Sequence, residues 1–389
     1  MSVGWDDDEV VAGWPGLPPL SGDVVADACV VGLGASGLAA VEALADRGVA
    51  VVGVDAGRVA AGAAGRNGGF LIAGPALFLH DAIAAWGAEP ALQLYRATLA
   101  ELRGLADVLG PAVMRQVGSI RLAGLPGAPT SDAEAAQRVA ELADCAALAD
   151  ALREHDIAVE SYAGPLGEGL FLPDDAAVNP AVRAVELARR LAGRARLHEQ
   201  TRVLDVRAGL VRTDRGVLRA NAVIVAVDGR LDVLLPQLRG RVRTARLQML
   251  STAPLAEARL PCPVYSRHGY DYAQQRPDGR LFVGGGRDLF AADEWSADAE
   301  PTGQVQRWIE AVAARMAGEA TGALPAVEHR WAASVGFTLD ARPLCTMVDD
   351  GVVAVGGYNG TGNLVGPVAA RAAVALALDG AAPPAWATS

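Results

Sequence analysis

The sequence predicts an α/β fold that opens on a parallel strand–helix–strand unit. Three observations carry this expectation. Ala28–Leu33 is a short apolar run of the kind a buried parallel strand requires. Ser36–Asp46 repeats apolar side chains at Leu38, Val41, Leu44 and Ala45, a helical spacing. Gly48 then stops the helix, and Val49–Val54 supplies a second apolar run, so the unit closes within roughly 30 residues.

The remaining elements follow in order. Residues up to Asp23 are rich in Pro, Gly and acid and predict an irregular arm, pinned to the body by Trp14 and Leu17. Leu92, Tyr95, Leu99, Leu102, Ala106 and Leu109 mark an amphipathic helix over Ala91–Leu109. Val139, Leu142 and Ala146 do the same over Asp132–Leu148. Pro180–Leu191 reads as a helix with Asn179 as its N-cap and Pro180 in the first helical position. Strands are predicted at Arg202–Val206, Leu210–Thr213, Val217–Ala220, Val223–Val227, Arg241–Leu250 and Val264–Gln275. Asp278-Gly279 is a hairpin-turn dipeptide leading into Leu281–Gly284. Gln304–Met316 predicts a helix, Gly351–Val355 a strand and Val368–Leu378 the final helix.

Composition narrows the function. With 389 residues, 51% of them hydrophobic, the chain can bury a large core divided between two domains. A net charge of -11 and a pI near 5.0 argue against nucleic acid as a partner. All 34 basic residues are Arg, and there is no Lys. Cys29, Cys145, Cys262 and Cys345 are scattered without metal-ligand spacing, so no metal site is expected. The acidic start and the lack of an apolar run of about 18 residues predict a soluble cytoplasmic protein with no membrane contact.

Three motifs carry chemistry. Gly32-Leu33-Gly34-Ala35-Ser36-Gly37 lies between the first strand and the first helix, where glycines let a backbone turn tightly and approach a pyrophosphate at a helix N-terminus. Asp55 ends the second strand, placed to accept from ribose hydroxyls, so a Rossmann-like dinucleotide site is predicted. This fingerprint does not separate FAD from NAD, and the acid at Asp55 disfavours NADP. Gly65-Arg66-Asn67-Gly68-Gly69 suits a loop lying against a flat or phosphorylated ligand, or a surface turn. Gly357-Tyr358-Asn359-Gly360-Thr361-Gly362 again joins a strand to a helix, whose positive end would stabilise a reduced, negatively charged ring; an ordinary strand–loop–helix connection is the alternative.

With these motifs in place, the sequence resembles the D-amino-acid oxidase/glycine oxidase family of FAD-dependent oxidoreductases, nearest its gamma-glutamylputrescine oxidase-like branch. The resemblance runs from Asp23 to about Gly380, and includes Asp278–Gly285 and Trp331…Thr338-Leu339-Asp340. It implies a Rossmann-like FAD-binding domain assembled from discontinuous segments, 23–82, 171–235 and 326–381. An α+β substrate domain with an antiparallel sheet would take 83–170 and 236–325, leaving 1–22 as the arm. By likeness, FAD is held by Gly32, Gly34, Ala35, Ser36, Gly37, Asp55 and Ala56, by Arg66, Asn67, Gly68 and Gly69, by Val203 and Ala226, and by Gly357, Tyr358, Gly360, Thr361 and Gly362.

The departures from the family pattern set the remaining expectations. Glycine-oxidase-like members carry a carboxylate-gripping Arg between the Trp and the Thr-x-Asp; Trp331-Ala332-Ala333-Ser334-Val335-Gly336-Phe337 has none, leaving Arg267, Arg287 or Arg342 as replacements. Without a Cys between Trp331 and Asp340, non-covalent FAD is expected. His268, Tyr270 and Tyr272 alternate, so a strand would point all three to one face, as amine-positioning and proton-accepting groups or as an aromatic strip with Asp271 outward. Asn359 would bond flavin or substrate, or serve the turn. The expected reaction is oxidation of the C–N bond of an amine or amino-acid derivative, giving an imine that hydrolyses, with oxygen or another acceptor taking the electrons. An FAD protein without turnover, or a nicotinamide-dependent dehydrogenase, is the alternative.

Overall fold

A computed structural model describes residues 3–318 and 326–388, so the end of the expected 236–325 segment lies outside the described residues. The strand–helix–strand unit forms as expected: Val24–Val31 pairs in parallel with Val51–Val54, and the helix Ala35–Asp46 joins them. Val217–Val225 lies parallel to the other side of Val24–Val31 and also pairs with Val352–Gly356. Arg196–His198 extends the sheet beyond Val51–Val54. Strands drawn from three distant stretches of chain therefore present their C-terminal ends together, where open parallel sheets bind ligands.

Val217–Ala220 and Val223–Val227, expected as two strands, are one continuous strand, because nothing between them breaks the chain. Its outer half alternates and pairs with the hairpin partner Leu210–Thr213, and its inner half is buried on both faces. Asn179 caps Pro180–Leu191 by accepting from the backbone N–H groups of Ala181 and Val182.

The second large sheet orders Val327–Phe337, Arg243–Thr252, Leu281–Gly284, Asp271–Gln275, Val264–Ser266, Ser119–Leu122, Gly167–Leu172 and Glu160–Gly164. It is antiparallel except where Val264–Ser266 runs parallel to Ser119–Leu122. Val327–Phe337, which the expected boundaries place with the first unit, is hydrogen-bonded along its length to Arg243–Thr252 in this second sheet.

Two further expectations do not hold as made. Val264–Gln275 is not one strand: Arg267, His268 and Gly269 take φ of 49°, 55° and 84°, which turns the chain back as a hairpin. The alternation of His268, Tyr270 and Tyr272 therefore has no strand beneath it. The arm is irregular only in its second half: Gly4–Asp7 is a 3-10 turn and Glu9–Ala12 a helical turn capped by Asp8, while 14–21 carry no regular structure. Trp5 is fully buried and stacks on Phe282 with ring centroids 3.6 Å apart.

Asp175 is buried between the sheets, accepting from Ser119 Oγ at 2.6 Å and from the Ala73 N–H at 3.0 Å. Burial pushes its carboxyl up from an ordinary 3.8 to about 7, against the pull of those two donors. The folded state thus binds the proton more tightly than the unfolded state. Its contribution to stability is fully present below pH ~3.8 and is lost as pH rises to about 7. At ~1.4 kcal/mol per unit the loss approaches ~4 kcal/mol as an upper bound. Asp175→Asn, neutral throughout, is expected to melt several degrees above the parent at pH 8, with the difference shrinking toward pH 4. Parallel melting curves across that window would refute this reading.

Candidate functional site

At the C-terminal ends of the parallel strands the chain turns at Gly32 with φ 94°. A Cβ here would lie 2.7 Å from the Ala226 carbonyl oxygen, and a Cβ on Gly37 would overlap the Gly32 carbonyl. Both positions thus demand glycine, and Gly32 and Ala226 are in direct contact. Gly34 caps the helix Ala35–Asp46 without a side chain, leaving its first turn open. Asp55 accepts from the Leu33 N–H at 2.7 Å and the Gly57 N–H at 2.8 Å. It braces the glycine turn against the loop that contains the exposed Ala56, a task the sequence did not reveal. The Thr201 N–H, two residues before Val203, donates to the Asp55 carbonyl at 2.8 Å.

The loop after Ala63–Arg66 is fastened by its carbonyls. Trp331 Nε1 donates to the Arg66 oxygen at 2.8 Å, Trp5 Nε1 to the Asn67 oxygen at 2.9 Å, and Gln274 Nε2 to the Gly68 oxygen. Gly69 has φ 72°, and a Cβ there would overlap the Val178 carbonyl.

The C-terminal glycine loop is anchored by a residue that sequence reasoning missed. Asp228 Oδ1 accepts from the N–H groups of Gly357 at 2.9 Å and Tyr358 at 3.3 Å, while Oδ2 accepts from Gly336 at 2.9 Å. Burial pushes this carboxyl up, and the backbone donors pull against it. Asn359 Oδ1 accepts from the Thr338 N–H at 2.9 Å, and Nδ2 donates to the Gly357 carbonyl at 2.8 Å and to Thr338 Oγ1 at 3.1 Å. Its amide thus builds the loop, the turn role that the sequence left open beside a bond to flavin or substrate, and the residue also lines the neighbouring cavity. Tyr358 is buried with its ring against Gly362, Gly366 and Ser36, so it packs the loop onto the first helix. Thr361 closes the turn, its N–H and Oγ1 both donating to the Tyr358 carbonyl, and Gly360 supplies φ 95°.

The two loops are tied to each other by a reciprocal amide pair. Asn67 Nδ2 donates to Asn363 Oδ1 at 3.2 Å, and Asn363 Nδ2 donates to Asn67 Oδ1 at 2.9 Å. Buried Arg183 locks Asn363 through two further bonds, 3.1 Å to Oδ1 and 2.7 Å to the carbonyl. Between the loops opens a cavity of about 760 Å³, with Arg66, Asn67 and Gly68 on one wall and Asn359, Gly360 and Thr361 on another.

His268, Tyr270 and Tyr272 also line this cavity, brought there by the hairpin rather than by strand alternation. Tyr272 is wedged between Gly68 and Gly284, and burial raises its phenol. Asp271 is buried instead of outward, paired with Arg267 at 2.6 Å. Of the three candidate arginines, Arg267 is closed by Asp271 and Asp288, and Arg342 bonds the Ala385 carbonyl over Trp86. Arg287 lines the cavity. Its guanidinium lies 4.5 Å from the Phe337 ring, 5.3 Å from Trp295 and 5.4 Å from Tyr270. Among the described residues it has no carboxylate within ion-pair distance.

A glycine turn at the head of a parallel sheet, and two linked loops around a cavity roofed by an antiparallel sheet, define a dinucleotide-dependent oxidoreductase. The profile of the family described as FAD dependent oxidoreductase (DAO) matches residues 27–376, and the chain belongs to that family. Family membership displaces the nicotinamide alternative. The chain is 28% identical over 399 residues to the probable oxidoreductase OrdL of Rhizobium meliloti (strain 1021), covering 94% of this chain and 86% of that protein. It is 26% identical over 365 residues to the gamma-glutamylputrescine oxidoreductase of Escherichia coli (strain K12), covering 88% and 81%. The fold is similar to that of glycine oxidase from Geobacillus kaustophilus, with a TM-score of 0.70 at 19% identity over 91% of this chain and 94% of that one. Among the described residues no helix is long and apolar enough to cross a membrane.

Proposed function

We propose that this FAD-dependent oxidoreductase oxidises the C–N bond of an amine that also carries a carboxylate. The observation that carries this reading is Arg287, an aromatic-boxed cation on the cavity wall with no acid partner among the described residues. Asp288, an acid on the same wall, is neutralised by Arg267. The lining therefore favours an anionic group over the distal ammonium of a polyamine.

The residues fit FAD. The glycine turn with Gly32, Gly34, Ala35, Ser36 and Gly37, braced by Asp55, suits the ADP half, with Ala56, Val203 and Ala226 beside it. Arg66–Gly68 and Asn359–Thr361 face each other across a cavity of flavin size, with Gly69, Gly357, Tyr358 and Gly362 supporting the two loops. FAD when bound supplies a hydride acceptor for the C–H bond beside the amine. The protein orients that bond and excludes water: Arg287 grips the carboxylate, Tyr270 and Tyr272 flank the substrate, and His268 takes the proton that leaves a neutral amine. The imine formed hydrolyses to a carbonyl compound, and oxygen or another acceptor takes the electrons. All four cysteines are buried and none lines the cavity, which supports non-covalent attachment.

Anaerobic mixing of the purified holoprotein with a panel of N-alkyl amino acids, glutamyl-amines and simple polyamines tests this. Bleaching of the visible flavin band by the carboxylated members is expected. Lasting yellow colour with every candidate would leave FAD binding without turnover, and bleaching by polyamines alone would overturn the substrate class.

A further inference from the structure

His268 is addressed from behind the cavity wall by a carboxylate. Its Nδ1 lies 3.5 Å from Oδ2 of Asp144, on the helix Asp132–Glu154, while the side chain is about half open at 47% exposure. Contacts between catalytic groups are often this long before substrate binds. Asp144 Oδ1 lies 2.9 Å from His80 Nε2, and Oδ2 is ion-paired with Arg121. Arg121 is buried, with its guanidinium 3.5 Å from the Phe78 ring centroid. Burial pushes the Asp144 carboxyl up, but the hydrogen bonds and charges of Arg121 and His80 outweigh it and hold the group below the usual carboxylate range. Asp144 is thus an anion at any pH where an amine is handled.

The surroundings leave few other roles for this carboxylate. His80, Asp81 and Asp144 offer ligand atoms within 4.8 Å of one another, the spacing of a cation site, but Arg121 already occupies Asp144. The helix Leu79–Trp86 contributes His80 and Asp81, and Asp132–Glu154 contributes Glu141, which accepts from the Arg267 N–H at 3.3 Å. On the turn itself, Arg267 is closed by Asp271 and Asp288. Arg287 lies over Tyr270. Among the described residues Asp144 is the acid within ion-pair distance of His268.

The geometry points to Asp144 as a positioning residue that fixes His268 as the acceptor of the substrate ammonium's proton. This rests on the C–N oxidation proposed above, because hydride leaves readily only from a carbon bearing a neutral amine. With Nδ1–H turned toward Asp144, the Nε2 lone pair is the one left for the cavity. The ammonium N–H bond breaks, the Nε2–H bond forms, and the electron pair stays on the amine nitrogen. The imidazolium so formed sits 3.5 Å from the anionic carboxylate of Asp144.

Two measurements on the holoenzyme test the assignment. The first uses 15N-histidine NMR, with the His268 signals identified by their loss in His268→Gln. The Nδ1–H tautomer is expected in the parent, with mixed tautomers in Asp144→Asn. An Nε2–H tautomer in the parent would overturn the proposal, whatever the enzyme oxidises. The second compares anaerobic reduction at pH 8 by N-ethylglycine, whose amine is an ammonium there, and N-(2,2,2-trifluoroethyl)glycine, whose fluorinated amine is already neutral. Asp144→Asn is expected to slow the first about tenfold or more and leave the second nearly unchanged. Equal slowing of both would mean that Asp144 only supports the fold. If the parent reduces with neither probe, the substrate reading fails separately, and the tautomer still decides the role of Asp144.

Discussion

Asp228→Ala is expected to purify without colour and to bind added FAD at least a hundredfold more weakly than the parent. The carboxylate accepts from the N–H groups of Gly336, Gly357 and Tyr358, so its removal leaves three buried donors without partners at once. Each orphaned donor costs ~1–3 kcal/mol, a sum comparable with the whole stability of an ordinary domain. The loss falls where the strand Val352–Gly356 hands over to the C-terminal glycine loop, and Gly336 belongs to the strand that faces it. The loop should therefore loosen from the sheet, taking Asn363 and its amide pair with Asn67 out of register. Asp228→Asn keeps one acceptor oxygen and should retain part of the colour. Flavin absorbance per mole of protein, followed by FAD titration of stripped protein, reads the result. A fully yellow Asp228→Ala protein would show that the loop holds without its anchor.

Asp228 also marks the limit of what the sequence makes legible. The glycine turn can be read because its need is local: Gly32 requires a positive φ, Gly37 requires the space of a missing Cβ, and both leave a spacing behind. The Asn179 cap is local in the same way. The Asn67–Asn363 pair joins residues 296 apart, and its bond leaves no period, spacing or composition to detect. The two indoles that hold the Arg66 and Asn67 carbonyls come from opposite ends of the chain. Trp5 was hidden further by its acidic neighbours, which read as a solvated arm although the indole is buried against Phe282.

The misplaced strand has a different cause. Arg267 and His268 adopt left-handed φ, which side chains of their size seldom do, so only Gly269 hinted at a turn. The three residues reach the cavity regardless, because the hairpin lays both its turn, with His268 and Tyr270, and the arm with Tyr272 against the cavity.

Arg287→Met should separate substrate recognition from cofactor binding. The expected variant keeps its yellow colour and melting temperature, since the guanidinium lies among Phe337, Trp295 and Tyr270 and anchors no acid among the described residues. Methionine fills similar apolar volume against those rings while removing the charge. A charge-assisted contact to a carboxylate is worth ~1.5–3 kcal/mol in a half-buried site, so kcat/KM for a carboxylated amine should fall by roughly 10- to 150-fold. The same substrate as its methyl ester, which offers no anion, should lose little between parent and variant. Arg287→Lys keeps the charge but not the planar fork, and should recover only part of the difference. The comparison is a double-mutant cycle between protein and substrate, so a general disturbance of the cavity cancels from it. An ester and an acid that suffer equally from Arg287→Met would remove the carboxylate from the substrate description and leave Arg287 as a packing residue in its aromatic box.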